Sequence, residues 1–186
     1  MSKIFFFRHA QASLGADNYD VLSKKGELQA LELGKYLVKK KYLFDKIYVG
    51  SLHRQLHTYE IVSEVFKKNK LEIPNPIVLK ELNEHQATEA MKIEMPKMLE
   101  DEYLKSLKEK LIKNPENKHS VMMLGFKYFF HKWVNNEIIV EGIIPWKEFR
   151  KNSINALNQI KSEIKKGEKI AVFSSGGTIS SMIGEV

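Results

Sequence analysis

Arg8 and His9 follow directly on the apolar run Ile4-Phe5-Phe6-Phe7, and further along the chain stand Arg54, Glu84 and the tetrapeptide Ser175-Gly176-Gly177-Thr178. Together these residue types meet the needs of phosphoryl transfer: donors for three equatorial oxygens, a nucleophile in line, and an acid for the leaving oxygen. Guanidinium groups such as those of Arg8 and Arg54 bind phosphate through forked, charge-assisted hydrogen bonds, and they hold down the negative charge that would repel an attacking group. A neutral imidazole nitrogen can attack phosphorus once its other nitrogen is anchored by an acceptor that fixes the tautomer. His9 is the candidate for that role and Glu84 the candidate acid.

Such groups act together only if the fold brings them together, and the hydrophobic pattern predicts how. Lys3–Phe7 is a continuous apolar run, as expected of a strand buried on both faces, and it ends at Arg8-His9. After a polar loop with Gly15, Asp17, Asn18 and Asp20, Ser23 is an N-cap candidate for a helix in which Leu28, Leu31, Tyr36 and Leu37 recur at helical spacing. Lys46–Val49 reads as a second strand, running through Gly50-Ser51 into a helix that carries Leu52, Leu56, Ile61, Val62, Val65 and Phe66. Ile77–Leu79 is a short third strand leading to Glu84. Residues 87–118 favour helix with an untidy apolar stripe and read as an insertion, and the aromatic segment Phe126–Trp133 reads as packing. A helix over 146–165 precedes the apolar strand Ile170–Phe173, which opens onto Ser174-Ser175-Gly176-Gly177-Thr178. Repeated strand-loop-helix units predict a three-layer α/β/α sandwich with a mostly parallel sheet, in which ligands gather outside the carboxyl ends of the strands. Each polar motif sits at such an end.

With these motifs in place the chain resembles a known family. Phe7-Arg8-His9-Ala10 is similar to the Arg-His-Gly signature of the histidine phosphatase (phosphoglycerate mutase-like) superfamily. Ser51-Leu-His-Arg54-Gln-Leu-His-Thr58 resembles its Ser-x-x-Arg-x-x-x-Thr segment, Leu82-Asn83-Glu84 its Leu-x-Glu acid motif, and the run from Ile170 to Thr178 its last motif. The four occur in the family's order. The resemblance implies a phosphohistidine intermediate on His9, a phosphate pocket including Arg8 and Arg54, Glu84 as proton donor, and no metal or other cofactor. Gln11 and Ser13, just after His9, fall where the family places further phosphate contacts, and Ser175 with Gly176 falls where a second histidine and a glycine usually stand. The Arg-His-x-Gln-Ala-Ser start and the Ser-Gly-Gly ending look like a bacterial branch with serine in place of that histidine. A serine hydroxyl carries no positive charge, and the loss of one such donor costs about 2.7–4 kcal/mol of transition-state stabilisation. The implied activity is therefore phosphate monoester hydrolysis, possible at a low rate. The alternatives are a catalytically weakened phosphate-binding or interaction domain, and phosphoglycerate mutase-type transfer, which needs a pocket that shields phosphohistidine from water. The family's pattern also runs through a full C-terminal helix and a final strand, whereas this sequence reaches Val186 early in that helix.

Composition narrows the classes. A chain of 186 residues, 43% hydrophobic, is the size of one domain with one substantial core, so a single domain over 1–186 is expected, with 87–165 as helical insertion and following helix. The absence of cysteine removes disulfides, thiolate metal sites and a cysteine nucleophile, and accords with a reducing, cytoplasmic setting. The N-terminal apolar run is too short for a signal peptide or a membrane span. The net charge of +7 is spread over lysine clusters such as Lys39-Lys40-Lys41, which read as solvated helix ends, so neither nucleic acid nor membrane is expected as a partner. The expected partner is a small phosphorylated molecule or a phosphoprotein; nothing in the pattern fixes an oligomeric state. His53 and His57, four apart on a helix, lack the third ligand and the glutamate that a zinc site of this spacing uses.

Overall fold

The computed structural model describes residues 1–13 and 20–184, so the loop positions Gly15, Asp17 and Asn18 lie outside the described residues. The chain divides into two compact units: Met1–Glu84 with Asn152–Val186, and His85–Lys151.

The first unit is built on four strands, β1 (Lys3–Arg8), β2 (Lys46–Val49), β3 (Pro76–Val78) and β4 (Lys169–Ser174), in the order β1-β4-β2-β3 with every pairing parallel. The last strand of the sequence is thus inserted between the first and the second, which sets Arg8 opposite Ser174 at the carboxyl end. Alternate residues of the strands feed two cores. Ile47, Val49, Ala171 and Phe173 pack against helices α1 (Lys24–Lys39) and α2 (His53–Lys68), while Tyr48, Ile170 and Val172 pack against the later part of α6 (Trp146–Glu163) and against α7 (Gly176–Ile183). Helices on both faces complete the three layers expected from the alternating pattern, and they explain why β1, β2 and β4 read as unbroken apolar runs, while Ile77 and Val78 of the edge strand β3 are exposed.

Helix α1 buries only part of the face its large side chains suggested. Leu28 and Tyr36 are 62% and 52% exposed, whereas Gly26, Ala30, Gly34 and Leu37 are buried. The reason is close packing. A Cβ on Gly34 would come within 2.9 Å of Val65 on α2, so small residues let the two helices approach where bulkier ones would hold them apart.

The second unit contains α3 (Ala87–Glu94), α4 (Glu102–Lys113) and α5 (Lys118–Val134), joined by short 3₁₀ turns over Lys97–Glu100 and Pro115–Asn117. Pro96 and Pro115 interrupt the helical preference there, which accounts for the untidy stripe in the sequence. Its core gathers Ala87, Ala90, Phe129, Trp133, Ile138 and Val140. Trp146 at the start of α6 packs on that core. Among the described residues no helix is long and apolar enough to cross a membrane.

Candidate active site

The site is assembled from the loops that leave the carboxyl ends of the strands. His9 is the first residue after β1, and its backbone N–H donates to the Ser174 carbonyl at 2.8 Å, extending the β1–β4 ladder by one step. The imidazole is 7% exposed. Its Nδ1 lies 2.7 Å from the Ala10 carbonyl oxygen, which can only accept, so Nδ1 carries the proton. Nε2 then holds a lone pair, and the Nε–H of Arg54 donates to it at 3.2 Å. Burial pushes the His9 imidazole below its ordinary value of 6.5, and the nearby Arg54 and Arg8 charges push the same way, against the Ala10 carbonyl and Glu84. A neutral ring with its lone pair on Nε2 is the form a nucleophile needs.

Arg54 is the second residue of α2 and only 6% exposed. Asp20 accepts from Arg54 Nη1 at 2.8 Å through Oδ1, and from the backbone N–H groups of His53 (2.8 Å) and Arg54 (3.3 Å). A carboxylate from a distant loop therefore caps the first turn of α2, where donors lack intrahelical acceptors and the helix dipole favours negative charge. One turn on, the Thr58 hydroxyl donates to the Arg54 carbonyl at 2.7 Å and accepts the Ala10 N–H at 3.1 Å, tying the backbone after His9 to α2. That gives Thr58, singled out by its spacing, a positional task.

Leu82-Asn83-Glu84 is locked to both neighbouring loops. Asn83 accepts from the Ser51 N–H at 2.7 Å and donates to the Ser51 hydroxyl at 2.8 Å, while its carbonyl accepts from Thr178 at 2.6 Å. Glu84 accepts the Gly177 N–H at 3.1 Å, in the first turn of α7. Arg8, on the exposed end of β1, lies by Gly176, where an added Cβ would come within 3.6 Å of the Arg8 Nε.

Ser175 is fully buried, and its Oγ accepts from Gln55 Nε2 at 2.7 Å. The same Gln55 amide donates to the Leu82 carbonyl at 3.0 Å, and its Oε1 accepts the Leu52 N–H at 3.3 Å. Gln11 and Ser13 contribute through their backbones: Gln11 accepts from the Ser23 N–H and hydroxyl, and Ser13 donates to the Val21 carbonyl at 2.8 Å. The Gln11 side chain is exposed. His85 belongs to the second unit, where its ring lies 5.6–5.7 Å from those of Phe130, Trp133, Trp146 and Phe149, and its Nδ1 accepts the Ala87 N–H at 3.3 Å. The rings of His53 and His57 are 5.5 Å apart on α2. Among the described residues no three His, Asp or Glu side chains cluster to hold a metal ion.

Three of the residues in this network were not anticipated from the sequence. Asp20 stood among the polar residues of a loop, Gln55 fills an unspecified position between Arg54 and Thr58, and Asn83 occupies the unspecified position of Leu-x-Glu. The available signal was adjacency, since Gln55 follows Arg54 and Asn83 precedes Glu84.

Comparison with solved structures gives the same architecture. YhfR from Bacillus stearothermophilus superposes with a TM-score of 0.63 at 16% identity, covering 100% of this chain and 79% of that one. The alpha-ribazole phosphatase from Shigella flexneri gives 0.61 at 17% identity, covering 98% and 78%. The protein histidine phosphatase SixA, in a structure complexed with tungstate, gives 0.51 at 14% identity, covering 98% and 74%. No curated protein matches the sequence. Residues 4–124 match the histidine phosphatase superfamily (branch 1), a span that takes in the His9, Arg54 and Glu84 motifs, and the chain belongs to that superfamily.

Proposed function

We propose that this protein hydrolyses phosphate monoesters through a phosphohistidine on His9. The observation that carries the reading is the His9 ring itself: buried, neutral, with Nδ1–H anchored on the Ala10 carbonyl and the Nε2 lone pair turned to a guanidinium. A phosphate seated between Arg8 and Arg54 draws the Arg54 donor away from Nε2 and onto an equatorial oxygen, which uncovers the lone pair as the charge of the ester is neutralised. Nε2 then attacks phosphorus, the ester P–O bond breaks, and the leaving oxygen takes a proton from the Glu84 carboxylic acid. In the second half water attacks phosphorus, the P–N bond breaks, the Glu84 carboxylate takes the proton from the water, and the ring returns to neutral. That the SixA structure holds tungstate, an oxyanion, supports placing a tetrahedral anion here.

A second reading, a phosphate-binding domain of weakened activity, is favoured by Ser175. This buried hydroxyl is engaged by Gln55 where the superfamily's pattern carries a charged donor. Hydrolysis of an aryl phosphate in chelator, by the native protein and His9→Ala side by side, separates the two. Turnover that the chelator spares and the substitution abolishes is the result expected. Phosphate binding with no turnover above the variant's background would favour the second reading.

A further inference from the structure

We infer that Asp20 is a positioning residue that holds Arg54 against His9, an inference that rests on the phosphate-binding role just given to Arg54. Asp20 reaches the site by a defined route. Ala12 and Leu22 form an antiparallel bridge, Ser13 donates to Val21, and the Ser23 N–H and hydroxyl both donate to the Gln11 carbonyl. These bonds fasten the segment just after His9 to the segment just after Asp20. Asp20 holds Arg54, Arg54 donates to His9, and His9 leads back through residues 10–13, which closes a circuit.

The position of the carboxylate defines its work. Its Oδ2 is on the His53 N–H, and its Oδ1 is on the Arg54 N–H and on Nη1. One group thereby fixes both the backbone that starts α2 and one edge of the guanidinium that the backbone carries. A planar guanidinium held at Nη1 keeps its Nε–H facing the site, where it donates to His9 Nε2 in the free protein. The Asp20 side chain is one-third exposed while that of Arg54 is 8% exposed, so the pair places its counter-charge at the rim and the cation within. A buried guanidinium without a counter-charge is costly, and Asp20 supplies one without standing against His9.

The cap and the ion pair separate experimentally. Asp20→Asn retains an oxygen that can cap α2, because asparagine is as good at helix N-termini as aspartate, but it removes the charge that holds Nη1. The experiment measures the affinity for inorganic phosphate by calorimetry in the native protein, D20N, Arg54→Ala and the double variant, with the His9 ring ¹⁵N signals recorded without ligand. The expected result has four parts: D20N folds but melts below the native protein, because the buried Arg54 loses its counter-charge, it binds phosphate roughly ten- to a hundredfold more weakly, its His9 Nε2 signal moves, and it weakens binding no further in the Arg54→Ala background. An unchanged His9 signal together with native phosphate affinity would overturn the inference, as would an equal loss of affinity in the Arg54→Ala background. Should D20N fail to fold, Arg54→Lys leaves the cap intact and is expected to reproduce the same two shifts; native behaviour in that variant would overturn the inference too. If the native protein binds no phosphate, the proposed function fails, and the His9 signal in D20N still decides whether Asp20 positions Arg54.

Discussion

His9 shows how a few contacts prepare a side chain of ordinary chemistry for the nucleophilic role proposed for it. The Ala10 carbonyl fixes the tautomer, burial favours the neutral ring, and the guanidinium of Arg54 adds a charge that opposes protonation. The sign of the pH dependence follows. Because the folded-state pKa lies below the ordinary 6.5, the ring stays neutral as pH falls through 6.5 and protonates only further down. An NMR titration of the free protein is expected to place the His9 midpoint below 6.5; a midpoint at or above that value would mean that burial and the two arginines do not govern the ring. Ser175 gives the opposite lesson. Placing histidine there with Ser175→His, as the resemblance of the last motif suggests, is expected to destabilise the protein by about 1–3 kcal/mol, because the site is fully buried and Gln55 lies 2.7 Å from the hydroxyl. Urea melts check the stability, and a gain in turnover without loss of stability would show that the pocket accepts an imidazole. The motif residues were legible because their types are rare in combination. Gln55 was not, because a glutamine on a helix reads as solvent-facing until the elements that bury it are known.

At the scale of elements, β1, β2 and β4 were legible because both their faces are covered, which leaves continuous apolar runs in the sequence. The buried face of α1 was legible only in part. Its contact with α2 uses Ala30 and Gly34, and small residues contribute little to an apolar stripe. Gly26 is more specific still: a Cβ there would lie 2.1 Å from the Gln11 carbonyl oxygen, the same oxygen that receives the Ser23 N–H and hydroxyl. That contact joins the start of α1 to the loop after His9. Gly26→Ala is therefore expected to cost more than the usual surface change, about 1–3 kcal/mol, since the obstacle is backbone rather than a flexible side chain. It should also weaken phosphate binding. Native stability by chemical denaturation in that variant would contradict the account of how the His9 loop is held.

At the scale of the whole molecule, the sequence predicted one domain with a helical insertion, and the chain folds as two compact units, the second running from His85 to Lys151. Strand ends of the first unit supply His9, Arg8, Arg54, Glu84 and Ser175, residues that lie far apart in the chain. The boundary falls between Glu84 and His85, adjacent residues that end up in different settings: a hydrogen bond to α7 for one, a box of aromatic rings for the other. The proposed reaction runs through a covalent bond on one residue, and trapping that bond tests it directly. The native protein is mixed with an aryl phosphate, stopped within a turnover in base, and mapped by mass spectrometry. The account predicts a phosphate on His9, stable in base, lost in acid and absent from His9→Ala. Turnover with no phosphate on His9, or with the label on another side chain, would contradict it.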